Sequence, residues 1–264
     1  EEHRVCKNLS VWQHTHVVES GGVYGEDENR FVFNNVLVGA RAKARFKISN
    51  TNKVPCDVLF SIKTMQSRAS SKQPEVFEVE PARAQIAAHS HTYAVVTFAP
   101  PSMQGFTSIF EAAIEGVPQN QAKGRNLVFE VSGEGNLPRI SIFKPSVRNK
   151  KGQPLLLFKR NLLGRRETLP LVILNDGTLP CKVDIDCMDP DATFTLTPTG
   201  DTQAVMATAN ADGHRKPHTA SVIINVEESA SFDCVFCPSK VQRSQAQIRL
   251  SVVNNQYEDS VIQM

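Results

Sequence analysis

The sequence lacks any long hydrophobic run. Its unbroken apolar stretches, such as Leu155 to Phe158, are far shorter than the ~18–20 residues that a membrane-spanning helix needs. No stretch carries an apolar stripe at helical spacing, which argues against a helical fold. The first residues, Glu1 to Arg4, lack the basic-then-apolar order of a secretory leader, and a chain that opens without Met is expected to be part of a longer protein.

Catalytic motifs are also missing. The sequence has no nucleophile-elbow motif and no pair of carboxylates that the pattern places across a cleft. The run from Gly133 to Pro138 resembles a dinucleotide-binding fingerprint, but Pro138 stands where the third glycine belongs and a strand follows where a helix is needed. We therefore predict no enzyme activity, no catalytic residues and no cofactor.

Metal and disulfide chemistry have little support. The six cysteines lie at positions 6, 56, 181, 187, 234 and 237. The single tryptophan, Trp12, lies ahead of Cys56 and far from Cys181, unlike the tryptophan that packs on the disulfide of antibody domains. Reduced thiols and a cytoplasmic location are therefore predicted, although the triplet Asn8-Leu-Ser is a hint of secretion. Cys234 and Cys237 lie three apart in a strand pattern, so they would face opposite ways and are not predicted to bind zinc.

Two histidine pairs are the remaining metal candidates. His14 and His16, and likewise His89 and His91, place two imidazoles on one side of an extended segment. No third ligand accompanies either pair. We therefore predict no metal site.

An internal repeat organises the chain. The segment from Phe33 to Val58 aligns with the segment from Phe158 to Val183 at a constant offset of 125 residues, and the offset drifts farther along, at loops. The matched positions are Gly39 and Gly164, Ile48 and Ile173, Asn50 and Asn175, Pro55 and Pro180, Phe98 and Phe236, and Pro100 and Pro238.

Both halves alternate apolar and polar residues with period two, which is typical of half-buried strands. Turns that begin with Asn and end with Pro separate the runs. We predict an all-β chain of two tandem immunoglobulin-like β-sandwiches, each with seven or eight antiparallel strands. The first covers residues 1–136, with the weakest pattern over 1–30, and the second covers 137–264 and stops within its last strand.

Four motifs, three of them present in both halves, point to a family. They are the Asn-x-x-x-x-Pro turn, the Phe-x-x-x-Pro strand, the Phe-x-Pro strand end and the Gly-x-Gly-x-x-Pro junction. Together they resemble ASH domains, which are relatives of the major sperm protein and of PapD-like sandwiches, and the resemblance covers nearly the whole chain. The departures are a polar loop, Pro118 to Arg125, and a longer middle region in the second half, Gly200 to Pro217.

The resemblance also implies a function. It is that of a structural module in a long array in the central apparatus of motile cilia, located in the cytoplasm at the ciliary axoneme. The implied partners are other axonemal proteins and tubulin or microtubules, with no membrane partner and no nucleic acid, and the fragment is expected to be a monomer.

Charge is the strongest local anomaly. Between Gly135 and Arg166 there is no acidic residue, while the rest of the chain holds 20 Lys and Arg against 27 Asp and Glu. Such single-sign clustering predicts an acidic partner: a tubulin tail, an acidic subunit, an anionic lipid or a nucleic acid. The partner-binding residues that this predicts are Arg139, Lys144, Arg148, Lys150, Lys151, Lys159, Arg160, Arg165 and Arg166.

Three functions compete at this point. The first is a non-catalytic scaffold module that makes protein–protein or microtubule contacts needed for ciliary motility. The second is a cytoplasmic adaptor that reads acidic or phosphorylated peptides through the basic interdomain surface. An extracellular adhesion protein is third, and it would need disulfides.

Overall fold

The computed structural model describes residues 9–13, 22–25, 29–64, 75–116, 126–206 and 219–264. These residues form strands and loops without a helix, and therefore without a helix long and apolar enough to cross a membrane. The chain divides into two compact units, Glu1–Asn136 and Leu137–Met264. Below they are called unit 1 and unit 2.

Unit 1 is a sandwich of two sheets. One sheet has the order β1-β4-β8-β6 and the other the order β2-β3-β10-β9-β5-β7. The strands are β1 (Leu9–Gln13), β2 (Gly22–Gly25), β3 (Arg30–Leu37), β4 (Ala42–Asn50), β5 (Cys56–Thr64), β6 (Phe77–Glu80), β7 (Arg83–Ile86), β8 (His91–Phe98), β9 (Gly105–Ile114) and β10 (Leu127–Asn136).

The core of unit 1 follows from strand alternation. In β4 the residues Ala42, Ala44, Phe46 and Ile48 are buried, and the residues between them face outward. The inward faces of both sheets contribute to one apolar cluster rich in phenylalanine. The Phe110 ring stacks on that of Phe129 with centroids 4.6 Å apart, and Phe46 packs against Phe129 at 5.2 Å, so the two sheets meet ring to ring.

Unit 2 has the same construction. Its sheets have the orders β11-β12-β17-β14 and β15-β16-β13-β18-β19, and one apolar cluster lies between them. The strands are β11 (Ser141–Lys144), β12 (Glu167–Leu174), β13 (Cys181–Met188), β14 (Phe194–Thr199), β15 (Ala204–Met206), β16 (Thr219–Ile224), β17 (Ser229–Phe236), β18 (Gln247–Val252) and β19 (Asp259–Gln263).

The fold class is confirmed: both units are all-β, immunoglobulin-like sandwiches. The described residues hold ten strands in unit 1 and nine in unit 2, more than the seven or eight expected, because short edge strands such as Arg83–Ile86 are too brief to produce a period-two signal. The expectation of wholly antiparallel sheets was wrong. Strands β3 and β10 pair in parallel, since the long connection between them imposes no hairpin geometry.

The repeat appears in the backbone hydrogen bonds. In unit 1 the N–H of Gly39 donates to the carbonyl of Pro100 at 2.9 Å, and in unit 2 the N–H of Gly164 donates to the carbonyl of Pro238 at 2.9 Å. Both glycines have positive φ, 82° and 73°, a conformation that glycine adopts without strain. Strand pairing repeats as well, because Ala42 pairs with Phe98 in unit 1 and Glu167 pairs with Phe236 in unit 2, although the offset is 167 − 42 = 125 on one strand and 236 − 98 = 138 on its partner.

A buried asparagine holds the same turn in each unit. The Asn175 side-chain amide donates to the carbonyls of Leu179 and Ile224, both at 2.9 Å, and its oxygen accepts the N–H of Gly177 at 3.0 Å. Asn50 repeats this arrangement in unit 1. The two asparagines are 0% and 2% exposed, respectively, so each is an internal tie between a turn and a neighbouring strand.

Candidate interaction surface

All nine predicted partner-binding residues lie in unit 2; Arg139 precedes β11, and the other eight lie on the segment that leads from β11 into β12. The segment consists of β11, a turn over residues 145–153, an extended stretch over 154–158 and a loop over 159–166. In the extended stretch, Leu155 forms an isolated parallel bridge with Gln263, and the Leu156 N–H donates to the Gln263 carbonyl at 2.8 Å. The basic residues on either side of this stretch are therefore attached to a fixed edge of the sandwich.

Arg139 stands apart from the other eight. Its guanidinium donates to both carboxylate oxygens of Asp176, at 3.2 and 3.0 Å, and this pairing raises the pKa of Arg139 and lowers the pKa of Asp176. It precedes β11, which pairs with the Leu174 end of β12, whereas the loop over 159–166 enters β12 at Glu167. An eight-residue strand places those two ends roughly 25 Å apart. The nine cations therefore do not form one patch.

Four cations lie in the middle of the segment. The Arg148 guanidinium turns back and donates to the carbonyl three residues before it, at 2.9 Å, so part of its donor capacity is used within the turn. Lys150 and Lys151 lie at the tip of that turn, where the Asn149 side-chain oxygen accepts the N–H of Lys151 at 2.9 Å. The side chains of Lys144, Lys150 and Lys151 are exposed.

The last four cations form what we call the basic loop, residues 159–166. Its Lys and three Arg side chains are exposed and flank two leucines, Leu162 and Leu163, which are 71% and 54% exposed. Adjacent exposed leucines among cations are unusual on a soluble surface, where large apolar side chains are generally scattered. The loop therefore combines electrostatic attraction with apolar area available for contact.

Local hydrogen bonds fix the conformation of the basic loop. The Asn161 side-chain amide donates to the Arg165 carbonyl at 2.8 Å, and the Gly164 N–H donates to the Pro238 carbonyl at 2.9 Å. The second bond places the loop beside residues 237–246. That neighbouring loop contains no acidic residue, exposes Lys240 and Arg243, and carries Val241 at 91% exposure. The cationic and apolar character thus extends over two adjacent loops.

The described cysteines do not form a reactive or metal-binding group. Burial is the main cause that raises the pKa of Cys181 and Cys187 to about 11 and that of Cys234 to about 12, so these thiols stay protonated at neutral pH. Cys181, Cys187, Cys234 and Cys237 are free thiols, Cys56 is buried, and Cys6 lies outside the described residues. Within the part of the chain that the structure describes, no three His, Cys, Asp or Glu residues are grouped to hold a metal ion.

The other candidate motifs have structural positions of their own. His89 lies in a turn with a φ of 54°, and His91 begins β8 with an exposed side chain. His14 and His16 lie outside the described residues. Gly133 and Gly135 belong to β10, and no helix follows them, so the phosphate-binding geometry of a dinucleotide site is absent from this described segment.

Unit 1 carries a cationic array that the search for single-sign charge clusters missed. Lys43, Arg45 and Lys47 occupy alternate positions of β4 and face outward, because the residues between them are buried. In the sequence these cations alternate with alanine and phenylalanine, so a count of basic residues over consecutive positions does not single them out. A search at strand period two would have found it.

Comparison with known proteins identifies relatives over the whole chain. No family model matches. Over 267 aligned residues the chain is 45% identical to the hydrocephalus-inducing protein homolog of Homo sapiens and 42% identical to the hydrocephalus-inducing protein of Mus musculus. Both alignments cover 100% of this chain but 5% of the relative, so the chain spans about a twentieth of the length of these curated relatives.

One solved structure among the similar ones is the ASH/PapD-like domain 7 of human CEP192. It aligns with 50% of this chain and 87% of its own, at 12% identity and a TM-score of 0.35. The sequence relation is much stronger and agrees with the resemblance that the repeated motifs predicted. The chain is a relative of the hydrocephalus-inducing proteins, homologous over its full length to a segment of them.

Proposed function

We propose that this chain is a non-catalytic scaffold segment of a large protein of the ciliary axoneme, in the central apparatus, and that it makes protein–protein or microtubule contacts needed for motility. The full-length relation to hydrocephalus-inducing proteins supports the ciliary setting. The observation that carries the contact role is the basic loop, in which four exposed cations surround two exposed leucines.

The basic loop has the properties of a preformed contact. Its backbone is tied to the Pro238 carbonyl and closed by the Asn161 side chain, so little conformational entropy remains to be lost when a partner binds. Leu162 and Leu163 provide apolar area that a partner removes from water, worth about 25 cal/mol for each Å². The cations select a partner with acidic side chains around an apolar centre.

Co-sedimentation with microtubules tests this proposal. We expect the chain to bind at low salt and to release as the Debye length falls from ~10 Å at 0.1 M salt to ~3 Å at 1 M salt. The double variant R165E/R166E should weaken binding by about tenfold or more, because it turns attraction into repulsion at the loop. Both side chains are exposed, so folding should be unaffected.

The control is the double variant K53E/K182E. It changes the net charge by the same amount at two exposed lysines outside the basic loop, one in each unit. We expect it to bind within about twofold of the parent chain. An equal loss of microtubule binding in both variants would show that net charge alone causes the effect, and it would contradict the basic loop as the contact. Micromolar binding of isolated acidic or phosphorylated peptides, abolished by R165E/R166E, without microtubule binding, would instead favour the adaptor function.

A further inference from the structure

Three cations on β4 of unit 1 form a regular array that we call the cation ladder: Lys43, Arg45 and Lys47. Burial of Ala44 and Phe46 between them sends all three side chains to the outer face of the sheet. Alternate residues of a strand are spaced by about 6.6–6.8 Å, so the ladder presents positive charge at that repeat. The strand itself fixes the direction of the array.

The ladder cations are available to a ligand. Among the residues that the structure describes, Lys43, Arg45 and Lys47 make no ion pair, although Arg41 just before them pairs with Glu78 on β6. The Arg45 guanidinium carbon lies 3.7 Å from the centre of the Tyr93 ring on β8, and this cation–π contact holds the side chain against the sheet. The Arg45 side chain is therefore oriented before any ligand binds.

The fold does not require cations at these positions. The 125-residue offset places Thr168, Pro170 and Val172 of β12 at the corresponding positions in unit 2, where they pair with β17 in the same register as the ladder pairs with β8. Neutral residues at these three positions therefore support the same strand pairing. The ladder therefore adds positive charge to unit 1 without being needed for the strand pairing that the two units share.

We propose that the cation ladder binds an extended acidic polypeptide segment of another protein, with carboxylates at alternating positions. Such a segment lying along β4 has the same ~6.6–6.8 Å repeat between side chains on one face, so three carboxylates meet three cations in register. This surface lies in unit 1 and does not depend on the basic loop of unit 2.

The described side chains of β4, β6 and β8 offer little to a nucleic acid or to a lipid surface. Single-stranded nucleic acid binding normally uses open aromatic faces for base stacking, but the described aromatic ring beside the ladder, Tyr93, is covered by Arg45 on one face and contacts His91 edge to face at 5.3 Å. A lipid surface would need exposed large apolar side chains, and the described residues of β4, β6 and β8 expose none.

Fluorescence anisotropy with two labelled peptides tests the proposal in the full 264-residue chain. Both peptides have about twelve residues, half of them Glu and half Thr: in one, Glu and Thr alternate, and in the other they come in pairs, which doubles the spacing of carboxylates on each face. We expect the alternating peptide to bind at least about threefold tighter. Equal affinities would overturn the in-register arrangement.

Charge variants locate the binding. K43E/K47E should weaken binding of the alternating peptide by about tenfold or more, and K43Q/K47Q by a smaller factor, whereas K53E/K182E and R165E/R166E should stay within about twofold. Unchanged thermal unfolding of K43Q/K47Q excludes misfolding as the cause. Binding lost in R165E/R166E instead, or tighter binding of oligothymidylate or of phosphatidylserine vesicles at the same salt, would overturn the proposal. Microtubule binding by the same variants reports on the basic loop separately.

Discussion

Replacing Asn175 with aspartate should lower the free energy of unfolding of unit 2 by about 3–5 kcal/mol at pH 7. The Asn175 amide donates to the carbonyls of Leu179 and Ile224, and the site is fully buried. A carboxylate has the same shape but no proton to donate, so both carbonyls lose their donor and face a buried negative charge. Only the bond accepted from the Gly177 N–H would remain.

The loss should depend on pH in a defined direction. Burial against two carbonyl oxygens raises the pKa of the introduced carboxyl in the folded state above the ~3.9 of an unfolded Asp. A group whose pKa is raised on folding contributes its stability below the unfolded pKa and loses it as the pH rises through the folded pKa. The difference from the parent chain should therefore shrink as the pH falls from about 7 towards about 4, because the protonated carboxyl can again donate.

Hydrogen exchange of the β12 and β13 amides measures this effect within unit 2. Asn254→Asp is the control, because Asn254 is exposed in the same unit and aspartate tolerates its positive φ of 67°. We expect that control to change stability by less than about 0.5 kcal/mol. Asn50→Asp should move the same effect to unit 1. A pH-independent loss at Asn175 would contradict protonation of the buried carboxyl as the cause.

These asparagines illustrate how far the sequence could go. Asn175 and Pro180 predicted a turn between two strands, because Asn favours turns and Pro marks a strand start. The turn and its repeat in unit 1 are present. The sequence could not predict that the amide reaches the carbonyl of Ile224, because 49 residues separate the two and only the packing of β16 beside β13 brings them together.

The candidate surface was also predictable only in part, because its local composition can be read from the sequence and its contacts between distant residues cannot. The count of basic residues identified the segment from Arg139 to Arg166, and the exposed cations of the basic loop lie in it. The ion pair between Arg139 and Asp176 joins residues that are 37 positions apart, so charge counting along the chain overlooks it. The exposure of Leu162 and Leu163 also depends on tertiary structure, because leucine in a sequence usually predicts burial.

Gly135→Ala should destabilise unit 1 by about 3 kcal/mol. An added Cβ at Gly135 would lie 2.3 Å from the carbonyl oxygen of Ser102 and 2.7 Å from the Cβ of Pro100. The loop that carries these two residues cannot easily retreat, because the Pro100 carbonyl accepts the N–H of Gly39 at 2.9 Å and the Gly135 N–H donates to the Gln104 carbonyl at 3.1 Å. The contact is with backbone, so a change of side-chain rotamer does not relieve it.

Gly105→Ala is the matched control for this substitution. Gly105 begins β9, which pairs with β10, and an added Cβ there would meet no atom within 4 Å. Alanine should therefore raise stability by about 0.5–1 kcal/mol, because it restricts the unfolded chain without strain in the folded one. Hydrogen exchange of β9 and β10 amides distinguishes the two variants. Equal changes in stability in the two variants would contradict the close approach of Ser102 as the reason for glycine at position 135. A loss of stability that occurs in Gly135→Ala alone and is confined to unit 1 would identify that approach as the role of Gly135 in the junction motif.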